Sequence, residues 1–123
     1  MPVLVSAPVR VPVPGGKQID EYVGQASTSS TDLSVAHMRS PAGWEEPAQT
    51  PEFDEVTLVL AGAVHVEHDD GVLVVTAGQA VLAKAGERVR YTTPDGAEYV
   101  AVCRPAFAPD TVHREIMDGE GEL

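Results

Sequence analysis

Ser40–Gly62 reads SPAGWEEPAQTPEFDEVTLVLAG. It begins in turn chemistry, passes acidic side chains at Glu45, Glu46, Glu52, Asp54 and Glu55, and ends in the run VTLVLAG. That run has the β-branched composition of a buried strand, and Glu55 stands at its mouth. A carboxylate beside a buried strand costs free energy unless something stabilises or uses it. In extended chain, side chains two positions apart share a face. Gln49, Pro51, Phe53, Glu55 and Thr57 therefore form one row.

Further strand candidates lie at short spacing around this stretch: 33–39, 55–62, 63–68, 72–77, 80–85, 88–93 and 98–103. DDG, AGQ, AGE and PDG separate the later ones, the glycine and aspartate chemistry of tight turns. There is no convincing helix. Residues 17–24, KQIDEYVG, read as one helical turn at most, and 26–32, ASTSSTD, as a polar connector. Seven short strands of this kind predict an all-β sandwich, jelly roll or small barrel. The chain divides into an N-terminal arm and linker over 1–32, a barrel over 33–107 and a tail over 108–123. The N-terminal prolines suit an edge strand or an arm crossing to a partner subunit. The last residues are polar and read as mobile.

The 123 residues suit one domain with a modest core. Eleven glycines and ten prolines fit many short elements. A formal net charge of −11 with only eight Lys and Arg disfavours nucleic acid and anionic membrane surfaces as partners. No run approaches the roughly 18 apolar residues of a membrane span. The proline-broken start lacks the basic-then-apolar order of a secretory leader. The single cysteine, Cys103, precludes an internal disulfide and fits a reducing cytoplasm.

The spacing within Ser40–Gly62 resembles the first motif of the cupins. That motif runs glycine, five residues, His-x-His, three or four residues, Glu, six residues, glycine. Gly43, Gln49, Pro51, Glu55 and Gly62 occupy those places, so the spacing holds while both histidines are replaced. Gly78, Lys84, Gly86 and Val89 stand at the places of the second motif, whose proline and histidine are also replaced. The resemblance implies a single cupin double-stranded β-helix, a jelly-roll barrel that is often dimeric. In metal-binding cupins three imidazoles and one carboxylate meet in the barrel. Here Gln49 is a weak ligand and Pro51 and Val89 have no donor, so no metal is expected and no cofactor is called for.

The chain also resembles ethanolamine-utilization cupins and small metal-free cupins that act as dehydratases or lyases. These carry a lysine before a polar linker, a tyrosine after the second motif and an ending like Pro105–Phe107. The resemblance implies that Lys17 and Tyr91 face the cavity with Glu55. Burial would raise the Glu55 pKa, suiting it to general acid or base work, and a nearby lysine would let it stay ionised. In strand 33–39, Leu33, Val35, His37 and Arg39 share the face taken as inward, making His37 an acid–base partner and Arg39 a substrate contact or an ion pair to nearby acids. Gln49 would orient substrate, and Trp44 and Tyr99 would form walls. His65 and His68 read as solvated turn neighbours, and Cys103 as a small buried apolar side chain.

The resulting expectation is a metal-independent small-molecule enzyme, a lyase, dehydratase or isomerase. Its catalytic residues would be Glu55, Tyr91, His37 and Lys17, with Gln49, Trp44, Arg39 and Tyr99 binding a small polar metabolite. Competing readings are a non-catalytic binding module, its pocket plugged by Phe53 and Phe107, and a metal oxygenase with substituted ligands.

Overall fold

A computed structural model describes residues 1–116, and within them the chain is all β. Nine strands run in order: β1 (Val9–Val11), β2 (Gln18–Val23), β3 (Ser34–Ser40), β4 (Trp44–Glu45), β5 (Asp54–His68), β6 (Gly71–Thr76), β7 (Ala80–Ala83), β8 (Arg90–Thr93) and β9 (Ala97–Arg104). Every pairing is antiparallel, in the order β1-β2-β3-β9-β5-β8-β4, with β6 and β7 also on β5. The result is the jelly-roll barrel that the motif spacing implies. Among the described residues no helix is long and apolar enough to cross a membrane.

β5 is the hinge of the architecture. Its first half pairs with β9 and β7, its second half with β6 and β8, so one strand serves both sheets. The sequence divides it into 55–62 and 63–68, and the structure joins these into a single bent strand. The bend falls at a register shift between Val59 and Ala61 and at Gly62, whose φ is +74°. A Cβ at Gly62 would come 2.3 Å from the Gly96 carbonyl oxygen, so the last glycine of the motif is required by close backbone approach.

Residues 17–24 are not helical. Gln18–Val23 pair with β3, and the proline-flanked β1 forms the sheet edge outside them. Ile19, Tyr22 and Val23 favour strand, and β3 supplies hydrogen bonds that one isolated turn of helix lacks. Val9–Val11 and Gln18–Val23, within the segment read as arm and linker, thus belong to the sheet. The tail is pinned as far as it is described. Glu115 N–H donates to the Ala48 carbonyl at 2.8 Å, Glu52 N–H to Thr111 at 2.9 Å and Thr50 N–H to His113 at 3.3 Å. Residues 117–123 of the tail, expected to be mobile, lie outside the described residues.

Val59, Val64, Val66, Val89, Tyr91, Trp44 and Tyr99 belong to the main core. Full burial of each valine stabilises the fold by about 1.5–3 kcal/mol. A second cluster of Phe53, Cys103 and Val112, with Phe107 against it, fills the other end. Between the two clusters the barrel stays hollow.

Candidate active site

The hollow is a cavity of about 190 Å³. The row anticipated from Gln49 to Thr57 turns into it, with Gln49, Phe53, Glu55 and Thr57 on its wall and Pro51 buried. Tyr91 enters from β8, between Val89 and Thr93 on the same buried face. Lys17 enters from the start of β2. Tyr99 comes from β9, where Tyr99, Ala101 and Cys103 form the inward row.

His37 and Arg39 are not in the cavity. Ser34, Ala36 and Met38 form the inward row of β3, the opposite parity from that expected. Burying an imidazole and a guanidinium costs more than burying a serine, an alanine and a methionine. His37 Nε2 instead sits 2.6 Å from Glu98 Oε2 on the outer face, and Arg39 lies 3.3 Å from Glu98 and 4.0 Å from Asp20. Trp44 belongs to the core and does not line the cavity; its ring lies under Lys17 Nζ, 4.1 Å from ammonium to centroid. The Tyr99 ring lies 5.6 Å from the same ammonium, and its hydroxyl bonds Ser40 Oγ at 2.8 Å. Phe53 and Phe107 meet edge to face at 5.8 Å and form one wall, leaving the cavity open.

Electrostatically the cavity is a charge cluster in an apolar shell. Protein surrounds Glu55 on nearly every side, although the hollow leaves it partly accessible. Its pKa is raised, first by desolvation and then by the negative charge of Glu46, against the pull of Lys17. Lys17 is lowered, chiefly by desolvation, which Glu46 and Glu55 oppose. Tyr91 is pushed well up by burial and by Glu55, so its phenol stays protonated. Cys103 Sγ donates to Glu55 Oε2 at 3.6 Å, and burial raises its pKa too, keeping it a thiol.

Glu55 Oε1, Tyr91 OH and Gln49 Oε1 are buried with no hydrogen-bond partner among the described residues. Tyr91 OH is near enough to influence the carboxylate but closes no bond of ordinary length to it. Such loose pairing is common in active sites before substrate tightens them.

Two contributors escape a reading of sequence alone. Glu46 lies in EEP, which looks like a solvated acidic turn, yet it lines the cavity with a raised pKa and faces Arg114 at 3.8 Å. The signal is alternation: Trp44 is buried, Glu45 is exposed and Glu46 turns back in. Arg114 arrives from the tail, whose β-bridge to Gln49 no local pattern announces.

The cupin barrel implies a metal at the place of Gln49, Pro51, Glu55 and Val89. These residues do not fit one. They offer one carboxylate, one amide and two side chains without donors, and a buried lysine shares the hollow. Among the described residues no three His, Cys, Asp or Glu side chains gather as a ligand group.

Residues 28–108 match the family model of the ethanolamine utilisation protein EutQ. The chain belongs to that family. This EutQ-family chain is 44% identical over 108 residues to the endoribonuclease YbeY of Myxococcus xanthus, across 85% of itself and 36% of that protein. It is 30% identical over 57 residues to the acetate kinase EutQ of Salmonella typhimurium, across 46% of itself and 25% of that protein. It thus spans 36% and 25% of the lengths of these two relatives. Its fold is that of an RmlC-like cupin from Shewanella frigidimarina, with a TM-score of 0.69 at 19% identity over 80% of this chain and 85% of that one.

Proposed function

We propose that this EutQ-family barrel is a metal-independent enzyme that moves a proton at carbon in a small polar metabolite, as a lyase, dehydratase or isomerase. The observation that carries the reading is the meeting of Glu55, Tyr91 and Lys17 in one open cavity of about 190 Å³. That volume lies below the ~300–1,000 Å³ of pockets for drug-sized ligands, which suits a compact substrate. Glu55, with its raised pKa, exchanges the proton. Lys17 supplies positive charge to the electron pair left behind, and the Tyr91 phenol donates to the developing oxyanion. Gln49 orients the substrate through its amide, and Tyr99 is a wall. The apolar shell strengthens each of these interactions by excluding water.

Neither relative's named activity suits this cavity. An endoribonuclease must grip phosphates, and this chain has net charge −11 with eight Lys and Arg. Phosphoryl transfer draws on clustered cations, whereas here Lys17 and Arg114 share the cavity with the three carboxyl groups of Glu21, Glu46 and Glu55. The buried Cys103 thiol suits a reducing cytoplasm. Two copies pair through the outer sheet face. There Leu82, Val56, Val102 and Val35 stand in register across β7, β5, β9 and β3, beside the exposed Leu58 and Leu60.

The test is deuterium wash-in from D2O at carbon, followed by NMR over a panel of small carbonyl and hydroxy-acid metabolites. Wild type should exchange at least one compound, and Glu55→Gln should lower that rate by about 10²–10⁴. Exchange by Glu55→Gln within about tenfold of wild type excludes the base role.

A further inference from the structure

Lys17 stands in an unusual position for a lysine. Its side chain lines the cavity, yet among the described residues no carboxylate oxygen lies within 4.0 Å of the ammonium and no hydrogen bond reaches it. Its close neighbours are the faces of Trp44 and Tyr99, at 4.1 and 5.6 Å. The other lysine, Lys84, is the opposite case: 62% exposed and paired with Asp54 at 3.8 Å. A structural cation buried at this cost would be expected to seat against Glu46 or Glu55, which share its cavity. Lys17 instead lines the same cavity with its ammonium over the Trp44 ring.

We propose that Lys17 is a covalent nucleophile that captures the carbonyl carbon of a small, uncharged aldehyde or ketone as an iminium. The proposal rests on the acid–base reading of the cavity and names its substrate class. The carbonyl must be small to fit about 190 Å³. It must be uncharged because Glu21, Glu46 and Glu55 already share the site with Lys17 and Arg114, and its flanks meet Met38, Ala36, Phe53 and Phe107.

The chemistry closes without an outside reagent. Lys17 releases one ammonium proton to solvent and the Glu55 carboxylate takes one up in exchange, two losses of charge that burial favours. The free amine attacks the carbonyl carbon, a C–N bond forms, and a nitrogen proton moves to the oxygen. Glu55 then returns its proton to that hydroxyl. The C–O bond breaks, water leaves and the nitrogen lone pair closes the C=N bond. Nothing is oxidised or reduced, and the positive charge remains over Trp44 and Tyr99. The iminium acidifies the neighbouring C–H, the proton that Glu55 removes in the proposed reaction.

Incubating the full chain with propanal and sodium cyanoborohydride at neutral pH traps any iminium as a propylated lysine. Peptide mass spectrometry then compares Lys17 with the internal reference Lys84. Lys17 should be labelled at least about tenfold faster, since burial favours its unprotonated, nucleophilic form. Equal labelling, or preference for Lys84, overturns the proposal. Lys17→Arg keeps the charge but cannot form the iminium, and it should lose carbon deuteration by at least about 10²-fold. If Lys17→Arg still exchanges while Glu55→Gln does not, the iminium falls and the acid–base reading stands. If Lys17 is labelled selectively while Glu55→Gln still exchanges, the iminium stands and the acid–base reading falls.

Discussion

Glu55 is enclosed, its Oε2 met only by a weak thiol donor and its Oε1 by no partner among the described residues. Its raised pKa has a thermodynamic consequence. A carboxyl that binds its proton more tightly when folded contributes stability that is full below the ordinary carboxyl range and is lost as pH rises through the folded pKa. Glu55→Gln carries no such titration. Its melting temperature relative to wild type should therefore climb as pH is raised above about 4.5, with the two proteins nearest each other in acid. A difference that shrinks as pH rises would contradict the burial of an ionisable carboxyl there. At this scale the sequence was informative where alternation was unbroken, as in the row from Gln49 to Thr57, and Tyr91 lies in the cavity as the resemblance implies. It misled at His37 and Arg39 because both rows of β3 are chemically mixed. Their parity is settled by which outer-face acids, Asp20 and Glu98, stand across the sheet.

Among the elements, β5 owes its double duty to Gly62. Gly62→Ala would force a side chain into the left-handed region and against the Gly96 carbonyl. The expected loss is at least about 2 kcal/mol, seen as a lower urea midpoint at unchanged slope. A variant within about 0.5 kcal/mol of wild type would show that the bend has another cause. Strands from β6 to β9 were legible because glycine and aspartate turns punctuate them. β2 was not, since DE interrupts its apolar pattern and its pairing with β3 is a non-local decision. The tail was not either: the hydrogen bonds of residues 111–115 go to residues 48–52, far back in the chain.

For the whole molecule, the motif glycines and strand spacing carried the fold, although all three histidine positions are replaced. The outer apolar band predicts a particle of twice the chain mass by light scattering. Leu58→Glu combined with Leu82→Glu should reduce it to one chain without disturbing the cavity, since both side chains face out. A wild-type particle of single-chain mass would refute the pairing. The central claim is that Glu55, Tyr91 and Lys17 perform proton transfer without a metal. It is tested most directly by carbon deuteration with chelator-treated protein, measured before and after adding iron, manganese, nickel or zinc. Wild type should exchange its substrate at the same rate in every condition, and Glu55→Gln should fall by about 10²–10⁴ in all of them. Exchange that disappears on chelation and returns with one metal, or that survives in Glu55→Gln, would contradict it.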